Sequence, residues 1–423
     1  MNVLILGSGG REHAFAYKIK QSTLCKNLYV APGNSGTREI ATNLQFQVHQ
    51  FEDIVEAIKK FEIKMVIIGP EVPLVNGLSD YISANDEVKE TIVIGPNKYA
   101  SQLEGSKDFA KEFLNRHNIP TASHKTFTAE NINDAFSYID SMIPPYVLKA
   151  DGLAAGKGVL IIDNPNEAKN ELTEMLLNSK FGDASKSVVV EEFLDGIELS
   201  CFVLTDGKNY KLLPSAKDYK RIGEGDTGLN TGGMGAISPP PFLTKDFMRK
   251  VEKKIIQPTI DGLMKDKIIY KGFIFFGLIK VKEEPYVIEY NVRMGDPESE
   301  AVLPRIKSDL LELLYSVSKG QLNHQEVIID NKESATVFLV SGGYPEQYEK
   351  NKEIFGLDKV SGSIVFHAGA KYEEGKVKTN GGRVIAITSM GATVKEALDK
   401  SYNSIKNISF EKMNYRGDIG FDL

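Results

Sequence analysis

The first hundred residues repeat one hydrophobic pattern: a short apolar run, a turn that contains glycine, and a stretch of helical periodicity. The apolar runs are Val3–Leu6, Leu28–Val30, Met65–Ile68 and Thr91–Ile94. Continuous runs separated by helices are typical of a parallel sheet that is covered on both faces. Ligands of such sheets bind at the carboxyl ends of the strands, so the glycine turns predict a binding edge.

From Ser101 onward, fewer helical stretches separate the apolar runs. This spacing predicts an α+β arrangement with antiparallel pairing. Residues 223–235 hold six glycines and predict a loop rich in turns. The other predicted elements are a helix over Gly105–His117, strands over Tyr146–Lys149, Gly158–Ile162 and Val188–Phe193, a helix near Glu167–Leu177, and a hairpin of Phe273–Val281 and Tyr286–Asn291 around a turn at Lys282–Pro285.

The last part of the chain, from Ser334, alternates short apolar runs with glycine turns and then predicts a helix over Val394–Ile405. At ~150 residues per domain, a chain of this length predicts about three domains. We place them at residues 1–101, 102–325 and 326–423, with a subdomain at about 121–192. The predicted fold class is α/β in the first domain and α+β in the second, followed by a small β-rich domain.

Charge and cysteine content narrow the class of ligand. The formal net charge of −6 gives no general attraction to nucleic acid or to an anionic membrane, so an anionic ligand must meet local basic clusters. The two cysteines, Cys25 and Cys201, lie far apart without a CxxC pattern, which argues against structural zinc and a disulfide framework. The opening apolar run breaks at Gly7, and no apolar stretch approaches the ~18 residues of a membrane span. We therefore expect a cytoplasmic protein without nucleic-acid or membrane partners.

The first glycine turn, Gly7-Ser8-Gly9-Gly10-Arg11, leads from a strand into a helix. Backbone N–H groups at such a helix start favour an anion. The dinucleotide pattern needs a third glycine where this chain has Glu12, so the turn favours a single phosphate with Arg11 as a counter-charge. A tight turn without a ligand is the alternative, and the turns at 33–36 and 69–71 on the same edge favour binding.

The segment Lys149–Gly158 (KADGLAAGKG) is a loop of small residues between two strands. Small side chains let a backbone lie close over phosphates, and flexibility lets such a loop act as a lid. It is not a P-loop, because Gly156-Lys157 is followed by Gly158 and then a strand. Two lysines favour an anionic ligand over the alternative of a plain hairpin tip.

Two weaker signals follow this loop. Glu191 to Leu194 close an apolar strand, with Glu198 just beyond, which fits either a solvated strand end or a linker that carries an adenine and its ribose. The basic cluster Lys217–Arg221 opens the glycine-rich stretch, which fits either a phosphate clamp or an exposed mobile loop.

The segment with the most specific pattern of candidate functional residues is Glu289–Glu298 (EYNVRMGDPE). With a period of two, Glu289, Asn291 and Arg293 share one face of a strand. Carboxylate and amide oxygens suit Mg²⁺ that also holds phosphate oxygens, and an arginine beside them can bind a carboxylate or an acyl phosphate. A solvated strand edge is the alternative. It would not require these residue types or the Gly-Asp-Pro that follows them.

These segments together resemble the glycinamide ribonucleotide synthetase family of the ATP-grasp superfamily, over essentially the whole chain. Any one match would be weak, but ten in the family's order are specific. The matching segments are LGSGGREHA, APGNSGT, IGPEVPLVNG, QLEGSKDFAKEF, KADGLAAGKGV, EEFLDGIELS, AKDYKRIGEGDTGLNTGGMGA, EYNVRMGDPE, SGGYPE and TNGGRV.

The resemblance implies a fold, a reaction and a set of roles. It implies a Rossmann-like N-terminal domain, a central ATP-grasp domain and a C-terminal domain, acting as a monomer or weak homodimer. It implies that ATP, with Mg²⁺ or Mn²⁺, activates glycine as glycyl phosphate, and that 5-phosphoribosylamine then attacks it. The implied nucleotide residues are Lys107, Lys149, Gly156, Lys157, Glu191, Phe193, Leu194 and Glu198, and the implied metal ligands are Glu289 and Asn291. The implied catalytic residues are Arg293, Lys149 and Asp218, and the implied substrate residues are Gly9, Gly10, Arg11, Asn34, Glu71, Asp218, Lys220, Arg221, Arg293, Asp296 and Glu298.

Three other functions remain as alternatives. One is a different ATP-grasp ligase that uses bicarbonate, such as a biotin carboxylase. A second is a nicotinamide-dependent oxidoreductase, against which the missing third glycine argues. A third is a nucleotide sensor without activity, which would be expected to lack a residue such as Glu289, Asn291 or Lys149.

Overall fold

The computed structural model describes residues 1–153 and 158–423. Its N-terminal part is a parallel sheet in the order β3-β2-β1-β4-β5, which confirms the predicted α/β domain. The strands are β1 (Asn2–Gly7), β2 (Asn27–Pro32), β3 (Thr42–Asn43), β4 (Ile63–Ile68) and β5 (Ile92–Ile94), and the helices are α1 (Gly10–Ile19), α2 (Thr37–Ile40), α3 (Phe51–Lys60), α4 (Glu71–Val75) and α5 (Leu78–Ala84).

The central strand β1 shows why the apolar runs are continuous. Val3 and Ile5 pack into one hydrophobic core, whereas Leu4 and Leu6 pack into another on the opposite face. Successive side chains point to opposite faces of a strand, so a sheet buried on both faces needs apolar residues at every position. The short strand β3 has too few residues to give such a pattern.

The helix predicted over Gly105–His117 is two helices in the structure, α6 (Gln102–Gly105) and α7 (Lys107–Arg116). Ser106 lies between them in an extended conformation, and its Oγ accepts a hydrogen bond from the backbone N–H of Phe109. Serine favours this capping position because its side chain satisfies an N–H that has no partner within the helix. The break places Lys107 at the first position of α7.

The next unit is a four-stranded antiparallel sheet in the order β6-β9-β7-β8 with a core of its own. It covers the region predicted as a subdomain at about 121–192. Its elements are β6 (His124–Thr128), α8 (Ile132–Ser141), β7 (Tyr146–Ala150), β8 (Val159–Ile162), α9 (Pro165–Leu176) and β9 (Ser187–Glu192).

The remaining strands of the described chain form three further antiparallel sheets, in the orders β11-β10-β14-β15, β12-β13-β16-β20-β17 and β18-β19. The elements up to the hairpin β14–β15 are β10 (Ile197–Thr205), β11 (Tyr210–Leu212), β12 (Lys217–Gly223), β13 (Thr227–Ser238), α10 (Lys245–Val251), a π-helical segment (Glu252–Ile256), α11 (Gln257–Lys265), β14 (Gly272–Val281) and β15 (Glu284–Asn291). After it come α12 (Glu298–Val302), α13 (Leu310–Lys319), β16 (Glu333–Val340), β17 (Ile364–His367), β18 (Ala370–Glu373), β19 (Lys376–Thr379), β20 (Arg383–Gly391) and α14 (Val394–Ile405).

The sheet order β12-β13-β16-β20-β17 joins the hairpin β12–β13 to the C-terminal strands. The sequence prediction of a turn-rich loop over residues 223–235 is therefore wrong. The glycines serve close approach instead: a Cβ on Gly233 (φ 118°) would lie 2.3 Å from Pro297, and a Cβ on Gly235 would lie 2.6 Å from a backbone oxygen of Thr336. The boundary predicted at residue 326 stays a prediction, and this sheet includes strands from both of its sides.

The hairpin β14–β15 has a tighter turn than predicted, because β15 begins at Glu284. Lys282 adopts a positive φ of 55° in this turn. Helix α14 has the predicted bounds. No helix among the described residues is long and apolar enough to span a bilayer.

Candidate active site

Three buried charged side chains lie where β7 and β9 run side by side. They are Lys111, Lys149 and Glu191, and together they are called the lysine triad. One carboxylate oxygen of Glu191 is 2.9 Å from Nζ of Lys149 and 3.1 Å from Nζ of Lys111. The other oxygen of Glu191 is buried and has no hydrogen-bond partner among the described residues. Burial opposes the charged form of Glu191, but Lys149 and Lys111 lower its pKa. The triad carries one more positive than negative charge, which suits a phosphate.

Lys107 brings a further cation towards the same place from the start of α7. Its Nζ donates to the carbonyl oxygen of Gly152 at 3.2 Å, at the base of the 151–158 loop. Burial lowers the pKa of Lys107, and the nearby Glu289 carboxylate opposes this effect. The Asp151 carboxylate holds the start of α7 against the end of β7, because it accepts a hydrogen bond from the backbone N–H of Asp108 at 2.8 Å.

The hairpin strand β12 supplies a second charged group. Nζ of Lys220 lies 2.6 Å from Glu198, which is on β10. The Lys220 side chain is 46% exposed; partial desolvation by its surroundings works against its charged form, yet Asp218 and Glu198 raise its pKa well above the ordinary value. Lys220 lowers the pKa of Glu198 in turn. Arg221 instead donates to the carbonyl oxygen of Gly228 at 2.8 Å, so its guanidinium contacts the hairpin tip.

Glu289 and Asn291, at the end of β15, lie side by side as the alternation predicted. Nδ2 of Asn291 is 3.5 Å from a Glu289 carboxylate oxygen. The Glu289 charge also raises the pKa of both Lys107 and Lys220, so Glu289 lies near both basic groups. No cluster of three or more His, Cys, Asp or Glu side chains within residues 1–153 and 158–423 is arranged to hold a metal ion. Two hard oxygen donors are nevertheless a fitting set for Mg²⁺, which takes most of its other ligands from water and phosphates.

Arg293 is held by two carboxylates from the N-terminal third of the chain. Its Nη2 donates to Glu104 Oε1 at 2.6 Å, and its Nε is 3.5 Å from Glu71 Oε2. Nη1 donates to the carbonyl oxygen of Met294 at 3.3 Å. Arg293 and Arg11 lower the pKa of Glu71, although burial acts in the opposite direction.

The loop after β15 is fixed by Arg383, at the start of β20. Nη2 of Arg383 is 2.8 Å from the Asp296 carboxylate, and Nη1 donates to the Asp296 carbonyl oxygen at 2.8 Å. Nη1 also donates to the carbonyl oxygen of Gly232 in β13 at 2.8 Å. The C-terminal sheet thus holds Asp296 in place through one guanidinium.

Two carboxylates of helix α12, which follows this loop, are also buried. Glu298 accepts from Oγ of Ser200 at 3.0 Å. Burial, together with the neighbouring Asp218, raises the pKa of Glu298 to about 7. Glu300 lies against Gly10, and burial, followed by Asp296, raises its pKa well above the ordinary value. Burial thus favours the protonated, neutral form of both groups.

The first glycine turn contains a protein carboxylate where the sequence predicted a phosphate. Glu12 Oε2 accepts from the backbone N–H of Gly9 at 2.6 Å, and Glu12 Oε1 lies 2.7 Å from Nε of Arg11. Nη1 of Arg11 donates to Met294 O at 3.2 Å. Arg11 is therefore paired within the protein. Its role as a counter-charge for phosphate stays a prediction, as do the roles of Gly9 and Gly10.

The side chain of Asn34 ties three segments together. Its Oδ1 accepts from the backbone N–H groups of Gly36 and Thr37 at 2.9 and 3.0 Å. Its Nδ2 donates to the carbonyl oxygens of Ser8 and His367 at 2.9 and 2.7 Å. Asn34 therefore fixes the turns after β1 and β2, and its role in binding a substrate stays a prediction.

The structure places Lys107 and Lys220 near Glu289 and joins Arg293 to Glu71. Phe193 is exposed and Leu194 is half-buried in the linker after β9, and their role in binding adenine stays a prediction. Gly156 and Lys157 lie outside the described residues. Arg221 makes no hydrogen bond to a site carboxylate within the described chain.

Several site residues could not be recognised from the sequence. Glu104 and Arg383 pair with residues 189 and 87 positions away, and Lys111 lies in an ordinary helical pattern. Local periodicity does not encode such long-range pairs. The segments QLEGSKDFAKEF and TNGGRV, which resemble the family, contain these three residues. That resemblance is the one signal in the sequence that points to them.

Three family models match this chain in order. They are the N domain of phosphoribosylglycinamide synthetase over residues 1–104, its ATP-grasp (A) domain over 105–299 and its C domain over 334–422. The three matches together cover most of the chain.

Individual relatives agree with these matches. The chain is 43% identical to a phosphoribosylamine–glycine ligase of Haemophilus influenzae over 100% of this chain and 98% of that protein. It is 44% identical to a bifunctional purine biosynthetic protein of Pichia angusta over 99% of this chain, and it spans only 53% of that relative. A crystal structure of phosphoribosylamine–glycine ligase from Thermotoga maritima covers 99% of this chain and 100% of its own, with 34% identity and a TM-score of 0.87. The chain therefore belongs to the phosphoribosylglycinamide synthetase family of ATP-grasp ligases.

Proposed function

We propose that this protein is a phosphoribosylamine–glycine ligase, which uses ATP to join glycine to 5-phosphoribosylamine in purine biosynthesis. The observation that carries the proposal is the position of Glu289 and Asn291. Glu289 lies near both Lys107 and Lys220, and Asn291 is only two residues from Arg293. Making an acyl phosphate requires cations that bind phosphate and, close to them, an arginine that binds the carboxylate.

ATP is proposed to bind along the lysine triad and the linker after β9. Lys107 and Lys149 neutralise its phosphates, while the linker from Glu191 to Leu194 accommodates the adenine. Glu198 is placed to accept from the ribose, which would compete with Lys220 for the carboxylate. Mg²⁺ is the proposed ion at Glu289 and Asn291, and Mn²⁺ is chemically equivalent at such oxygen donors. An ion held by Glu289 and Asn291 would offset the negative charge of the phosphates.

Glycine is proposed to bind between Arg293 and the carboxylates of Glu298 and Asp218. Arg293 has guanidinium hydrogens beyond those used by Glu104 and Met294, and it can hold a carboxylate. The carboxyl groups of Asp218 and Glu298 accept hydrogen bonds, which suits the amino group of glycine. Because burial raises the pKa of both groups, one of them can also accept a proton during the reaction.

The chemistry divides into two displacements. A glycine carboxylate oxygen attacks the γ-phosphorus of ATP, the bond to the β-phosphate oxygen breaks, and ADP leaves. The amine of phosphoribosylamine then attacks the carbonyl carbon of glycyl phosphate, loses a proton, and phosphate leaves with the bridging oxygen. The protein contributes mainly position and charge neutralisation to both steps.

Phosphoribosylamine is proposed to bind at the edge formed by the turns after β1, β2 and β4. Glu71 and Asp296 bring this edge to the Arg293 group. Asn34 holds the turn after β1 and the turn after β2 together, because its side chain is hydrogen-bonded to the backbone of both. The amine would therefore approach the acyl group from the N-terminal sheet. A monomer or weak homodimer and a cytoplasmic location stay predictions.

The test is ADP release by the purified protein with phosphoribosylamine generated in situ from ammonia and ribose 5-phosphate. We expect turnover only when glycine, phosphoribosylamine and ATP are all present. Bicarbonate should not replace glycine, and this comparison separates the proposal from the bicarbonate-dependent ATP-grasp enzymes that share the fold. Turnover with bicarbonate and none with glycine would overturn it.

A further inference from the structure

Glu104 is a buried carboxylate for which the proposed reaction has no direct use. It lies on the short helix α6, between the N-terminal sheet and α7, and its side chain is 6% exposed. A carboxylate in this environment requires donors for both oxygens. Both donors come from a single segment of another part of the fold, the end of β15 and the residues that follow it.

The two oxygens of Glu104 divide these donors between them. Oε2 accepts from the backbone N–H of Val292 at 2.8 Å, while Oε1 accepts from Nη2 of Arg293 at 2.6 Å. One carboxylate therefore fixes the guanidinium of Arg293 relative to the backbone from which its side chain begins. Helix α6 is itself seated closely, because a Cβ on Gly105 would lie 3.1 Å from both methyl groups of Val75.

Other partners of Arg293 hold it less firmly. Glu71 is 3.5 Å from Nε and its side chain is 29% exposed, and the Met294 carbonyl oxygen is 3.3 Å from Nη1. Glu104 makes the shortest contact and is the least exposed of these partners. Long side chains lose rotamer freedom only when such contacts fix them, and catalysis depends on that position within about 1 Å.

We propose that Glu104 is a positioning residue that sets the guanidinium of Arg293 for glycine activation. This inference rests on the proposed function. Glutamine at this position would keep the size of the side chain but would present an NH₂ group to one of the two donors. It would therefore lose either the Val292 or the Arg293 hydrogen bond. Nothing that contacts the lysine triad would change.

The experiment is a double-mutant cycle with Glu104→Gln and Arg293→Lys, measured by steady-state kinetics with glycine and ATP varied separately. Glu112→Gln, an exposed glutamate on α7, is the matched control. We expect Glu104→Gln to lower kcat/KM for glycine by about 10- to 100-fold. KM for ATP should stay within about twofold, and the Arg293→Lys background should reduce the Glu104 effect to about twofold or less.

Three results would overturn the inference: wild-type kinetics for Glu104→Gln, an equal rise in KM for ATP, or the same loss in both backgrounds. If Glu104→Gln does not fold by circular dichroism, Glu104→Asp replaces it in the cycle, because it keeps the charge and shortens the reach. A wild-type enzyme that shows no glycine-dependent turnover would refute the proposed function and this inference with it. If the wild type turns over but the losses of Glu104→Gln and Arg293→Lys simply add in the double variant, this inference is refuted and the proposed function stands.

Discussion

Removing the carboxylate of the lysine triad is expected to cost more stability than removing one of its lysines. Glu191 compensates Lys149 and Lys111, and all three side chains are at most 8% exposed. Glu191→Gln leaves two buried ammonium groups without a counter-charge. Taking one partner from a buried ion pair typically costs about 3–5 kcal/mol.

Lys111→Met has the opposite effect on the local charge, because it leaves Glu191 and Lys149 as a balanced pair. The variant loses the contact of Lys111 with Glu191 and its 2.7 Å hydrogen bond to Thr121 Oγ1. One unsatisfied hydrogen-bonding group costs about 1–3 kcal/mol. Burial already lowers the pKa of Lys111 to about 8, so the folded protein holds this charge with difficulty.

The assay is equilibrium urea unfolding of both single variants and of the double variant at pH 7.5, without nucleotide. Hydrogen exchange of the β9 amides gives a local measure of the same effect. We expect Glu191→Gln to be the least stable, and Lys111→Met to restore part of the loss when added to it. A Glu191→Gln variant within about 1 kcal/mol of the wild type, or a double variant less stable than Glu191→Gln, would refute the reasoning.

Three further predictions concern the site around Glu289. Glu289→Ala should abolish turnover while circular dichroism and the thermal midpoint stay unchanged, and near-normal activity at low Mg²⁺ would contradict the metal role. Arg383→Lys keeps a charge but cannot bind Asp296 and the Gly232 carbonyl oxygen together, so kcat should fall on the order of 10²-fold; an unchanged kcat would show that the Asp296 loop holds its place without Arg383. Burial and Asp218 raise the pKa of Glu298 from 4.5 to about 7, so its contribution to stability is present below pH 4.5 and is lost as the pH rises through 7. Unfolding measured from pH 5 to 8 should therefore show Glu298→Gln gaining about 3 kcal/mol relative to the wild type across that range, and a parallel pH dependence would contradict the raised pKa.

The parts of the fold that sequence reasoning predicted well are those that local periodicity encodes. Strand β1 is apolar at every position because cores lie on both of its faces. Helix α14 shows its buried stripe directly, and its bounds were predicted correctly. In the same way, alternation along β15 correctly placed Glu289 beside Asn291.

Tertiary contacts explain what sequence reasoning missed. The glycines of β13 read as turn residues, yet Gly233 and Gly235 allow a strand to lie against Pro297 and the backbone of β16. The N-terminal turn reads as an empty anion site, whereas Glu12 folds back onto Gly9. A sequence pattern records which residues are present, and only the folded chain shows which of them already satisfy one another.

The most direct test of the account follows the oxygen atoms of glycine. Glycine labelled with ¹⁸O in both carboxylate oxygens is converted with ATP and phosphoribosylamine, and the products are analysed by mass spectrometry. Activation as glycyl phosphate predicts one labelled oxygen in the released phosphate and one in the amide of glycinamide ribonucleotide. Phosphate without label, formed alongside the amide product, would contradict the account.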